Sequence, residues 1–114
     1  MAKLNKQTFL DDICHILLDG KPVLPDVVPL EYRTVGARRA FDALQTGHKI
    51  QHVIRIPRVP VEFQDTVVEI RGVVYPILQV QRIDDTVPVC WQLTLEQPDI
   101  AWAHGRADNG RCTQ

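Results

Sequence analysis

Apolar and polar positions alternate most legibly over residues 87–95. Val87, Val89, Trp91, Leu93 and Leu95 share one face, and Pro88, Cys90, Gln92 and Thr94 the other. That period of two predicts a half-buried β-strand. The polar break Asp84-Asp85-Thr86 ahead of it suits a turn. Pro88 cannot donate to a ladder, so it belongs near the strand's start or on a free edge. Residues 73–83 predict a second strand, apolar at first and then interrupted by Gln79, Gln81 and Arg82. Residues 66–71 are short and β-branched, a third strand. Arg71-Gly72 between these two supplies a glycine where a tight hairpin wants positive φ. The three together predict an antiparallel meander.

A further strand is predicted over 50–56, with Ile50, Ile54 and Ile56 on one face and Gln51, Val53 and Arg55 on the other. Pro57, Pro60 and the residues up to Gln64 then form an extended, donor-poor connection. Upstream the period changes. Ala37, Ala40, Phe41 and Leu44 recur at i, i+3, i+4 and i+7, opposite Arg38, Arg39, Asp42 and Gln45, which predicts one short amphipathic helix. Arg38 and Asp42 are spaced to pair along it. Gly47 supplies a left-handed stop, and His48 and Lys49 set positive charge beside the helix's negative end. The first third reads two ways: Phe9, Ile13, Ile16 and Leu17 fit a helical stripe, whereas Ile13, His15 and Leu17 fit an alternating strand. Asp19-Gly20-Lys21-Pro22 is a turn, and residues 29–35 enter another strand before the helix.

Composition narrows the classes. With 114 residues, 45% of them apolar, and a net charge of −1, the chain suits one globular domain and not a disordered segment. Residues 1–98 are assigned to that domain and 99–114 to a polar tail. No run of about 18 apolar residues provides a membrane-spanning helix. The polar N-terminus lacks the apolar stretch of a signal peptide, so synthesis in a reducing cytoplasm is expected. Cys14, Cys90 and Cys112 are odd in number and show no CxxC spacing, which argues against a disulfide framework or a zinc site. The eight prolines fall mostly where loops are predicted: Pro22, Pro25 and Pro29 in the first, Pro57 and Pro60 in the second, Pro98 at the exit. Only Pro76 and Pro88 interrupt predicted strands.

The motifs of enzymes are absent: no Gly-rich phosphate loop, GxSxG elbow or HExxH helix occurs. His48 and His52, His15 beside Cys14, and His104 with Cys112 read as structural or surface groups. Asp11-Asp12 and Asp84-Asp85 read as turn residues or a solvated face, because neighbours on a strand point to opposite sides. No catalytic residue, metal or cofactor is expected. One local excess stands out: Arg33, Arg38, Arg39, His48, Lys49, Arg55 and Arg58 gather between positions 33 and 58. Repeated around a ring, they would add up to a positive band able to meet a DNA backbone without reading sequence.

The order of these elements is familiar. The run from Glu31-Tyr32-Arg33-Thr34 through Gly36, the helical residues and Gly47-His48-Lys49-Ile50 resembles a segment of tailed-phage head-closure proteins, also called stopper or head–tail joining proteins. Ile70-Arg71-Gly72-Val73-Val74-Tyr75-Pro76-Ile77 is similar to that family's hairpin, and Cys90-Trp91-Gln92-Leu93-Thr94-Leu95 stands where its final strand would be. The resemblance covers residues 11–96 and lies in order and spacing. It departs from the family in the proline-rich stretch 57–64 and the long C-terminal tail.

The resemblance implies a mainly β fold: a small antiparallel β-barrel with one short α-helix in an excursion between strands. It implies a homo-oligomeric ring in the virion neck, with an adaptor protein above, a tail-terminator or tail protein below, and packaged double-stranded DNA in the channel. Residues 34–50 would face the channel or the adaptor. By the same resemblance Thr34 would open that stretch, Gly36 and Gly47 would be its hinges, and Phe41 and Leu44 would pack a folded-back state or close the aperture. Arg38, Arg39 and Lys49 would face DNA or acidic neighbours, and Arg71, Gly72 and Tyr75 would belong to the family's hairpin. A tail-terminator or tail-completion protein is a related alternative. A small β-barrel nucleic-acid-binding module is an alternative of another class, which the low aromatic content disfavours.

Overall fold

The computed structural model describes residues 4–35, 47 and 49–98. Every regular element among them is a strand: β1 (Asn5–Lys6), β2 (Asp12–Leu18), β3 (Lys21–Pro22), β4 (Val28–Arg33), β5 (Ile50–Pro57), β6 (Thr66–Ile70), β7 (Val73–Ile83), β8 (Thr86–Val87) and β9 (Cys90–Glu96). The antiparallel order β2-β4-β5-β9-β7-β6 returns to β2 through the pairs from His15↔Glu69 to Leu18↔Thr66. Six strands therefore close a barrel, which removes the free edges an open sheet would expose. The mainly β class and the small antiparallel barrel expected from sequence are what the chain adopts. The predicted helix, with its Arg38–Asp42 pair, lies outside the described residues.

The interior follows the period of two. Cys14 and Ile16 from β2, Val28 and Leu30 from β4, Ile54 and Ile56 from β5, Val68 and Ile70 from β6, and Leu93 and Leu95 from β9 form one buried cluster. Each pair is two residues apart, so both side chains point inward. Tyr75 and Ile77 of β7 pack against the cluster partly buried, as do Val59, Val61 and Phe63. Those last three alternate along the stretch after β5, where Val59 N–H donates to the Pro57 carbonyl at 2.7 Å and Val61 N–H to the Val59 carbonyl at 3.0 Å. These i to i+2 bonds satisfy a donor-poor segment locally.

The predicted meander is present as β6, β7 and β9, with Arg71 and Gly72 at φ 52° and 80° making the β6–β7 turn. Both central residues at positive φ mark a type I′ hairpin, whose twist suits the flanking strands. Its last strand needs correction. β9 begins at Cys90, while Val87 belongs to β8 and pairs with Lys6. The Val87-Pro88 bond is cis, the chain turns there, and the alternation read across 87–95 breaks. Val87 and Val89 are left exposed and Cys90 is fully buried.

β2 resolves the ambiguity of the first third in favour of a strand, with the opposite inward face from the one read. Cys14 and Ile16 are each 1% exposed, whereas Ile13 is 50% exposed. A free cysteine fills an inner position as a small hydrophobe. In β5 the pairing with β9 shifts between Ile50 and His52, and Val53, read as outward, is buried opposite Thr94.

Prolines also enter more strands than expected. Pro22, Pro29, Pro57 and Pro76 are strand residues, and Pro88 lies just before β9. Pro29 faces Ile13 of β2 and precedes Glu31, where pairing with β5 begins. Pro76 faces Val67 of β6 and precedes Ile77, where pairing with β9 begins. Each sits where only one neighbouring ladder exists, so the missing N–H costs no hydrogen bond.

Candidate functional site

β4 ends at Arg33 and β5 begins at Ile50, so the excursion 34–49 is rooted at one end of the barrel. The β6–β7 hairpin, the start of β2 and the end of β9 lie at that same end, because each pairs antiparallel to its neighbour in the closed order. The structure thus brings Thr34, Gly47 and Lys49 to the same end as Arg71, Gly72 and Tyr75, two groups separated by more than twenty residues in sequence. Gly47 has φ 85°, the left-handed geometry expected of it. Lys49 is exposed, and its carbonyl accepts the Gln97 N–H at 2.7 Å. Gly36, Arg38, Arg39, Phe41 and Leu44 lie outside the described residues.

Four residues that the sequence reading gave no site role, Asp11, Asp12, Tyr32 and His52, tie this end together, and Asp12, read as a turn or solvated residue, opens β2 with its side chain 10% exposed. Asp12 Oδ1 accepts the Ile13 N–H at 2.8 Å. Its Oδ2 accepts Arg71 Nε–H at 2.8 Å and the Tyr32 hydroxyl at 3.2 Å. Asp11 Oδ2 accepts the Tyr32 N–H at 2.9 Å. The Tyr32 ring lies 5.1 Å from His52, and His52 meets Tyr75 edge-on at 5.2 Å. The chain of contacts from Arg71 through Asp12, Tyr32 and His52 to Tyr75 closes through the hairpin itself. It joins both roots of the excursion to the hairpin. Asp12 and Tyr32 stand twenty residues apart, so no local motif announces them; the β2–β4 register makes them neighbours.

The charges at this end are layered. The Arg71 side chain is 78% exposed over an Asp12 that is 10% exposed, and Arg33 is 43% exposed over a Glu31 at 23%. The Ile13 N–H, with the Arg71 and Tyr32 bonds, holds the Asp12 carboxyl below its usual range. Burial works to raise Glu31, but hydrogen bonds from Gln7 and Arg33 outweigh it and the carboxyl is lowered. Burial, reinforced by Asp12, pushes the Tyr32 phenol up to about 12. Burial lowers His52, so its ring is neutral at pH 7. Asp11, Glu31, Tyr32, Arg33 and Thr34 line an open hollow of about 450 Å³ beside this layer.

At the opposite end one pair is reversed, while Arg82, 68% exposed, also faces outward beside Asp84. There Arg58 is the covered partner at 19% exposure and Asp84 the outward one at 60%. Asp84 is held below the usual carboxylate range by Arg58 and then Arg82. Asp19, Glu62, Asp65 and Asp85 are exposed at the same end.

What these groups can do is hold and present charge. Among the described residues no three His, Cys, Asp or Glu side chains converge as metal ligands would. Cys14 lies within the barrel with burial pushing its thiol up to about 12, far from the range of a reactive thiolate. No protein-family model, curated protein or solved structure matches the chain.

Proposed function

We propose that this protein is a non-enzymatic structural component of a tailed-phage virion, a head-closure subunit. In this reading copies form a ring in the neck, joining the portal-bound adaptor above to the tail below and retaining packaged double-stranded DNA. The observation that carries it is that β4 and β5, the strands flanking residues 34–49, and the Arg71-Gly72 hairpin meet at one end of a small closed barrel. A small barrel with an excursion between two of its strands is what the resemblance implies for such a part. The base-outward layer at that end suits a surface turned toward an anion.

The test is assembly in the absence of the protein. DNA-filled, adaptor-bearing heads made without it should leak DNA or fail to take tails, and purified protein should restore both. Heads that retain their DNA and join tails normally without it would refute the reading. A small nucleic-acid-binding module is the second reading, supported by the exposure of Arg33, Lys49 and Arg71. Tight, salt-dependent binding of oligonucleotides by a stable monomer would favour it.

A further inference from the structure

We propose that Arg71 is a pre-oriented phosphate-contact residue, aimed by Asp12 toward the backbone of double-stranded nucleic acid. This rests on the reading that the excursion end of the barrel faces DNA, and it names a contact outside the 33–58 cluster that suggested DNA in the first place.

Three observations converge on it. Arg71 occupies the first central position of a type I′ turn at φ 52°. That conformation favours asparagine, aspartate or glycine and strains an arginine. An unfavourable residue at a turn is a reason to ask what its side chain does. Among the described residues the side chain is fixed at one point: Nε–H donates to Asp12 Oδ2 at 2.8 Å. The remaining guanidinium N–H groups point from a side chain that is 78% exposed, leaving a planar fork of the kind that grips two oxygens of a phosphate. Asp12 is in turn fixed by Ile13 N–H and Tyr32, so the fork is held by a rigid strand and not by the hairpin alone.

The surroundings favour a polyanion. Arg33 and Lys49 are also exposed at this end, while Asp12 and Glu31 lie beneath their arginine partners; among the described residues here Asp11 is the exposed acid, and Glu69 and Glu96 are half-covered. The hollow beside them is open and lined by Asp11 and Glu31 as well as Arg33, so spaced exposed cations match repeating phosphates better than a single small anion held there.

Binding of a 30-base-pair duplex by the full chain, followed by fluorescence anisotropy over a range of salt, tests this. Arg71→Asn suits the turn and keeps the fold, which the thermal midpoint verifies. It should weaken binding several-fold and lower the salt slope by about 1. Asp12→Asn removes a negative charge. If charge alone mattered, binding would tighten; if Asp12 aims the fork, binding weakens despite the added net charge, which is the expected result. Arg71→Asn with unchanged affinity and slope would overturn the proposal, as would tighter binding by Asp12→Asn. Lack of duplex binding combined with loss of head joining in Arg71→Asn would assign Arg71 to a carboxylate on a protein partner and also overturn it. In each of these cases the head-closure reading stands or falls separately, on leakage from heads made without the protein.

Discussion

Arg58 shows how one side chain can serve as a joint. Its Nη2 donates to the Ile83 carbonyl at 2.6 Å, to the Cys90 carbonyl at 3.1 Å and to Asp84 at 2.8 Å, and Nε reaches Cys90 again at 3.2 Å. The guanidinium carbon sits 4.7 Å from the Trp91 ring centroid, and Trp91 Nε1–H donates to the Val59 carbonyl at 3.0 Å. One planar cation thereby fastens the proline-rich connection to the β7–β9 turn. Lysine has the charge but not the fork. Arg58→Lys should therefore destabilise the protein by about 1–3 kcal/mol, measured by urea unfolding. His52 carries a pH signature at the other end. Burial between Tyr32 and Tyr75 lowers its folded pKa below the unfolded value of roughly 6.5. In that window the unfolded chain binds more protons, so His52's contribution is complete above about pH 6.5 and is lost as pH falls below it. Tyr32, pushed up to about 12, does not titrate there. His52→Phe should flatten the fall in thermal midpoint between pH 7 and pH 5, and an unchanged slope would show that other groups set it.

At the scale of elements, the phase of a strand decides which substitutions matter. Ile16 and Ile13 are three residues apart on β2, one buried and the other half-exposed. Ile16→Ala should cost about 2–5 kcal/mol, and Ile13→Ala should stay within about 0.5 kcal/mol. Equal costs would mean that the strand's phase is wrong. The β6–β7 hairpin depends on Gly72 at φ 80°, with open space where a Cβ would be added. Gly72→Val therefore meets no clash, yet the left-handed backbone strains a β-branched residue by about 1–3 kcal/mol. The loss should appear in equilibrium unfolding. Because the hairpin carries Arg71, which is fastened to Asp12, the same variant should loosen the excursion end before the opposite one in hydrogen exchange.

At the scale of the molecule, closure makes the six strands one unit. β2 joins β6 across about fifty residues of chain, at pairs such as Ile16↔Val68 and Leu17↔Val67, and the cluster between them draws on five strands. No strand can leave without exposing the others' inner side chains. Unfolding should thus be a single transition. Trp91 fluorescence, in a Trp102→Phe background, should give the same midpoint as circular dichroism; two separated midpoints would contradict a single closed core. The same closure gives the barrel distinct ends, with Arg71 outward over a covered Asp12 at one and Arg58 covered beneath an outward Asp84 at the other.

Much of this was written locally. Alternation announced β6, β7 and the body of β9, and Gly72 announced their turn, because a strand's period and a turn's φ requirement act over a few residues. Which face of β2 turned inward was not legible, since Ile13, Cys14, Ile16 and Leu17 can satisfy either phase and only packing against Leu30 and Val68 chooses. The candidate site was half legible: Arg71 and Tyr75 stood out in the hairpin, whereas Asp11, Asp12, Tyr32 and His52 had no pattern to mark them. Their meeting depends on register between strands distant in sequence. The sequence by itself determined that this chain makes short strands with stiff connections. Tertiary structure decided that they close, which ends face together and which charge lies on top, because those follow from long-range pairing and burial.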